Sequence, residues 1–182
     1  MAEMDVLAAD LRNDSRSVRQ RAAAELALIA KEQPESLIPV MDDVLDALMR
    51  PEARTRWECL DVLSALVPFD AERCVAAIPD AEYALFDETS GPLRYSAARF
   101  LCVLGATSEE RSVRVWPVLD QAIQCYHGDI EFEDMLVDLI AFARGTLDSS
   151  VKAAFKERMA FDAENPRGVV GKRAQTIIAA LA

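Results

Sequence analysis

Five segments of this chain are near-copies of one another. Aligned on Val18, Thr55, Leu93, Phe132 and Val170, the stretches VRQRAAAELALIA, TRWECLDVLSALV, LRYSAARFLCVLG, FEDMLVDLIAFAR and VGKRAQTIIAALA begin at steps of 37, 38, 39 and 38 residues. A period of this size marks an array of small units, each unable to bury its own apolar face and each burying it against the next. In every copy the first residue and those at offsets four, eight and eleven are mostly small or apolar: Val18, Ala22, Leu26 and Ile29; Thr55, Cys59, Leu63 and Leu66; Leu93, Ala97, Leu101 and Leu104; Phe132, Leu136, Ile140 and Ala143; Val170, Ala174, Ile178 and Leu181. That spacing draws one stripe along an α-helix.

Between the copies lie partner helices. LIPVMDDVLDALM from Leu37, AIPDAEYALF from Ala77 and VWPVLDQAI from Val115 each carry an apolar residue followed by proline, at Pro39, Pro79 and Pro117. A proline near the first turn removes one amide donor and starts or kinks a helix there. Glu3 to Leu11 reads as the first partner helix and Val151 to Phe161 as the last, without proline. Capping and breaking residues fall between these elements: Asp14 and Ser15, Pro34 and Ser36, Pro51, Pro68 to Asp70, Ser90-Gly91-Pro92, Gly105 to Ser108, Gly128-Asp129, Asp148-Ser149 and Asn165 to Gly168. With only 6 Gly and abundant Ala, Leu, Glu and Arg, the chain is predicted to be all-α, ten helices in five hairpins. The units run roughly over 1-33, 34-69, 70-106, 107-146 and 147-182 of a single domain.

A helical hairpin of about 38 residues whose second helix opens on a Val-Arg step and paired alanines resembles the HEAT-repeat family. The resemblance covers essentially the whole chain. DSRSVRQRAAAELALIA and LRYSAARFLCVLGA are closest to the family pattern, whereas Glu133 and Gly171 stand where Arg19, Arg56 and Arg94 recur. It implies a right-handed α-solenoid, with first helices on the convex side and second helices lining the concave one. It also implies that Arg19, Arg56 and Arg94 pair with acids of adjoining units as a structural ladder.

With second helices inward, offsets two and six would face the groove, since residues four apart are neighbours on a helix. They are Gln20 and Ala24, Trp57 and Asp61, Tyr95 and Arg99, Asp134 and Asp138, and Lys172 and Thr176. The middle three pairs form a strip of two aromatics, one arginine and three carboxylates. Such a strip suits a protein or peptide carrying basic groups, with rigid aromatic area for contact and carboxylates selecting charge. Trp57 and Tyr95 equally suit packing between units, and both readings stand at this point.

No nucleophile with a base, phosphate loop or metal-ligand spacing is present, so the chain is expected to be non-catalytic and to need no cofactor. Asp134 and Asp138 have no nearby His, Lys or Cys to complete a reaction, and His127 with Cys125 is too few ligands for a metal. Net charge of -11 opposes binding to nucleic acid. The excess is uneven, with 14 acids and four bases over residues 32-90 against seven bases and four acids over 144-182. HEAT-type DNA glycosylases and bilin lyases are the enzymatic alternative that the resemblance raises; the former would need a basic groove. MAEMDVLAADLRND lacks the pattern of a signal peptide, and no apolar run approaches the roughly 20 residues that cross a bilayer, which predicts a cytoplasmic protein away from membranes. Cys59, Cys74, Cys102 and Cys125 are expected as small buried hydrophobes, and Trp116 as core. The closing TIIAALA, with no polar cap after it, marks the C-terminal edge as a surface for self-association.

Overall fold

The second helices of the repeat are the longest and most regular elements of the N-terminal part, because their alanine- and leucine-rich stripes combine high helix propensity with a continuous apolar face. A computed structural model describes the backbone of residues 2–182 and the side chains of residues 4–182. It contains α1 (Ala2–Asp10), α2 (Arg16–Glu32), a 3-10 helix (Pro34–Val40), α3 (Met41–Ala47), α4 (Ala53–Cys74), a short 3-10 turn (Val75–Ala77), α5 (Ile78–Leu85), α6 (Gly91–Gly105), α7 (Glu109–Tyr126), α8 (Phe132–Ala143), α9 (Ser149–Glu164) and α10 (Gly168–Ala180). No strand occurs among the described residues. The helices alternate as the repeat predicts, with α2, α4, α6, α8 and α10 carrying the five aligned stretches. The chain divides into two compact bodies, residues 1–100 and 101–182.

In the N-terminal body, α2 packs on α4, and the 3-10 helix with α3 covers α4 from the other side of the hairpin. Every residue of the Thr55 stripe is buried. In the first copy Ala22 and Leu26 are buried but Val18 and Ile29 only half so, since this unit has a stripe neighbour on one side alone. α4 breaks at Asp70 (φ -152°, ψ 68°), two residues after Pro68, and Asp70 Oδ1 accepts from the Arg73 amide at 3.1 Å, starting the next hairpin. The run from Ala53 to Cys74 is therefore kinked at the Pro68 to Asp70 break.

The C-terminal body pairs α7 with α9 and sets α10 against both α8 and α9. Its core is aromatic: Trp116 stacks on Phe142 (centroids 6.4 Å apart) and lies 4.8 Å from Phe155, with offset geometry that adds to the area buried. Trp116 is 9% exposed, a core residue as expected. Ser112, fully buried, donates to the Glu109 carbonyl and accepts from the Asp148 amide at 3.0 Å. Asp148 in turn caps α9 by accepting from Ser150 N at 2.8 Å.

The three prolines of the first-helix pattern act differently. Pro39 sits near the end of the 3-10 helix, Pro79 lies in the first turn of α5, and Pro117 stands inside α7, whose helix runs on through it. Ser15 occupies the N-cap position of α2 without making a side-chain cap bond; Asn13 Oδ1 instead accepts from the Ser15 amide at 2.9 Å. Cys59, Cys74 and Cys102 are buried, and burial pushes the Cys59 and Cys102 thiols well above their usual range. Cys125 is exposed, against expectation: near the end of α7 it falls on the solvent side, between the buried Ile123 and the C-cap.

Candidate functional site

Of the offset-two and offset-six residues of the second and third units, Asp61, Tyr95 and Arg99 meet in one polar cluster. Trp57 and Asp61 are one turn apart on α4, Tyr95 and Arg99 one turn apart on α6, and all four are half-buried. Arg99 Nη2 donates to Tyr95 Oη at 2.6 Å, with its guanidinium carbon 4.6 Å from the Tyr95 ring centre. Arg99 Nη1 lies 3.8 Å from Asp61 Oδ1, an ion pair too long to be a hydrogen bond. Asp61 Oδ1 is buried and accepts no hydrogen bond. Burial raises the Asp61 carboxyl above its ordinary range, against the smaller opposing pulls of the Ser96 hydroxyl, Arg99 and Lys31. The cluster is thus a carboxylate with one oxygen short of a donor, beside an aromatic and its bound arginine on α6, with Trp57 one turn away on its own helix.

In the C-terminal body, Asp134 is exposed in the first turn of α8, beside Glu133. Acids there favour the helix through its dipole. Asp138, one turn on, is half-buried, and its charge adds to burial in raising the Cys102 thiol. His127, the C-cap of α7, faces Asp162 with Nε2 3.1 Å from both carboxylate oxygens, so the single histidine links α7 to α9 by a hydrogen bond.

The recurring arginines stand on structural partners. Arg19 reaches Glu52, Arg56 reaches Asp87 at 3.1 Å, and Arg94 Nη1 donates to the Asp87 carbonyl at 2.7 Å. Where Glu133 replaces the arginine, its backbone carbonyl accepts from Arg173 instead. A second set of links was not legible in the repeat: Arg73 Nη2 donates to Asp42 at 2.7 Å, and Arg158 holds Asp120 through Nε at 2.5 Å and Nη2 at 3.0 Å. Each joins one first-helix layer to the previous one, and their separations of 31 and 38 residues differ too much to show as a period.

Two further features stand apart from the recurring links. A cavity of about 390 Å³ opens at the α3–α4 loop between Arg50, Arg56, Asp80 and Tyr83, residues that come together only because α5 folds back beside that loop. Apolar grooves also flank the first and last hairpins. Met4, Leu28 and Ile29 line one, and Ala160, Ala163, Ile178 and Ala179 line the other.

The sequence matches no family model and no curated protein. Solved structures match it along its full length. A designed armadillo repeat protein in complex with peptide (KR)4 superimposes with a TM-score of 0.81 at 16% identity, covering 100% of this chain and 82% of that one. A computationally designed armadillo repeat protein for modular peptide recognition gives 0.74 at 17%, covering 98% and 82%. A further engineered protein gives 0.75 at 17%, covering 100% and 80%. Likeness at this level establishes the fold: an all-α, armadillo-like helical-repeat solenoid. No described helix is long and apolar enough to cross a membrane.

Proposed function

We propose that residues 1–182 act as one five-unit, non-catalytic interaction module whose second helices hold a basic peptide or protein segment. The observation that carries the reading is Asp61 Oδ1, a buried carboxylate oxygen without a hydrogen-bond donor, near Arg99 and its partner Tyr95 and one helical turn from the half-buried Trp57. A guest ammonium or guanidinium supplies the missing donor, and the two rings give it a rigid apolar seat, a combination that binds cations well once desolvated. Arg99, held by Tyr95, fixes the far wall and screens Asp61 until a guest arrives. Asp134 and Asp138 supply the carboxylates of the C-terminal body. A chain of net charge -11 draws such a guest by long-range attraction, and one designed protein of the same fold was solved with peptide (KR)4. The acidic character that favours this guest weighs against the DNA glycosylase alternative, and no site residue is given a catalytic role. Three buried thiols suit the reducing cytosol.

The test is titration of a fluorescein-labelled (Lys-Arg)4 peptide into the full chain, with (Glu-Gln)4 as control. Saturable anisotropy with the basic peptide, lost in a Trp57→Ala, Tyr95→Ala, Asp138→Lys triple variant, supports the reading. Equal binding by that variant overturns it.

A second reading, pairing of two copies through the C-terminal edge, draws on the Ala160–Ile178 groove and on Phe161, 73% exposed beside it. Sedimentation across a range of concentrations decides it.

A further inference from the structure

Of the two aromatic rings that the basic-guest reading offers to a cation, one is already taken. Arg99 holds its guanidinium carbon 4.6 Å from the centre of the Tyr95 ring and donates Nη2 to the Tyr95 hydroxyl at 2.6 Å, while Nη1 stands 3.8 Å from Asp61 Oδ1. Ring face, hydroxyl and carboxylate are the contacts that a guest guanidinium would take, so a side chain of the protein itself sits in the guest's place. Trp57, by contrast, has no hydrogen bond, ion pair or ring contact among the described residues. In the repeat register, offset six carries Asp61, Arg99 and Asp138 in three successive units, so the chain sets one cation of its own among the carboxylates.

Charge and access both require Arg99 to leave before a guest reaches Asp61. Asp61 is a single carboxylate, and Arg99 and Lys31 already act on it with positive charge, beside the Ser96 hydroxyl. A guest cation added next to Arg99 meets like charge at a few ångströms, which offsets what it gains from a carboxylate it must share. Access points the same way. Asp61 Oδ1 is shut off from water, so no guest bonds it until a neighbour moves. Ser96 is itself buried, whereas the Arg99 side chain, the cation beside that oxygen, is 38% exposed on a long and flexible stem.

We propose, resting on the basic-guest reading above, that Arg99 is a built-in competitor: it occupies the guanidinium seat on Tyr95 beside Asp61, and a guest arginine binds by displacing it. A tethered group stands at an effective concentration far above that of a free guest, so a lone cation in solution leaves the seat closed. A segment that brings several cations at once opens it.

The experiment compares the anisotropy of fluorescein-labelled (Lys-Arg)4 on the full wild-type chain with that on Arg99→Ala, Arg99→Gln and Arg21→Ala. Arg21→Ala removes the same charge from a side chain that faces Asp10 on α1, and so controls for net charge. Both Arg99 variants, shown to be folded by circular dichroism, are expected to bind at least about fivefold more tightly than wild type because the competent fraction rises, and Arg21→Ala less than about twofold. A second arm needs no peptide. The Tyr95 ring signals of a chain ¹³C-labelled at its tyrosines are followed by NMR during titration with ethylguanidinium chloride, with sodium chloride at equal ionic strength as control. Ethylguanidinium is expected to give a saturable shift in Arg99→Ala and none in wild type at the same concentrations. If wild type binds the peptide and the folded Arg99 variants bind it no more tightly, the competitor is overturned and the basic-guest reading stands. Equal tightening by Arg21→Ala, an equal ethylguanidinium shift in wild type, or no shift beyond that of sodium chloride in Arg99→Ala also overturns the competitor alone. No binding of the peptide by any of these chains overturns both.

Discussion

Arg19 at the start of α2 grips Glu52 at the N-cap of α4 with both arms of its guanidinium, Nε to Oε1 at 2.5 Å and Nη2 to Oε2 at 2.9 Å. The buried Thr55 hydroxyl adds a third donor at 3.2 Å. Only 6% of Glu52 is exposed, so its charge survives burial because this planar fork matches the carboxylate.

Replacing Glu52 by Gln is predicted to cost about 2 kcal/mol, the scale of a charged hydrogen-bonding partner lost from a buried site. Arg19 holds the Glu52 carboxyl below its ordinary 4.5, outweighing the opposing effect of burial. The unfolded chain therefore binds this proton first as pH falls, and the stabilisation, complete above about 4.5, drains away through the lower native value. Melting temperatures of wild type and Glu52→Gln should differ at neutral pH and converge in acid. Identical melting at pH 7 would mean that the ladder contributes nothing.

Asp61 should show the opposite sign. Burial raises its carboxyl above the ordinary 3.8, so the native state holds the proton longer than the unfolded chain does, and this group's contribution to stability falls as pH rises through that window. Asp61→Asn is predicted to gain about 1 kcal/mol at pH 7, since it removes a charge left short of donors. The same change should weaken the (Lys-Arg)4 peptide. A stabilised variant that binds the peptide as tightly as wild type would separate Asp61 from recognition.

Gly145 marks a backbone crossing inside the C-terminal body. A methyl group added there would lie 2.5 Å from the Ala106 carbonyl oxygen and 2.6 Å from its Cα, while the adjacent Thr146 amide donates to that same carbonyl at 2.8 Å. Because the obstacle is main chain, it cannot rotate away. Gly145→Ala is predicted to cost roughly 1–3 kcal/mol, as overpacked sites do, and chemical denaturation of the variant measures it.

What the sequence displayed most clearly was the buried stripe. Thr55, Cys59, Leu63 and Leu66 fall in the core on the strength of spacing alone, since a helix that must be covered along one line writes that line into its composition. The same reasoning placed Asp61 near Arg99 and Tyr95, because offset from the stripe determines direction. It did not show that Asp61 Oδ1 lacks a donor, which depends on where the Ser96 and Arg99 side chains reach. Nor could it reveal the Arg50 cavity. Arg50 sits in the turn between the two helices of its unit, and its neighbours Asp80 and Tyr83 arrive from α5, so no local pattern links them. Pro39, Pro79 and Pro117 look alike in sequence and take up three different positions, since helix length around each decides whether proline starts, ends or interrupts a turn.

The arginine clasp has a bearing on how chains of this kind change length. Donor and acceptor stand 33 residues apart for Arg19 and Glu52 and 31 apart for Arg56 and Asp87, close to one full unit. A segment copied or deleted at the breaks between hairpins would carry away one hook and one eye together, leaving the flanking copies able to fasten to each other. Growth or shortening by whole hairpins then demands no new chemistry at the junction, whereas a cut through the middle of one leaves a buried charge with nothing to hold.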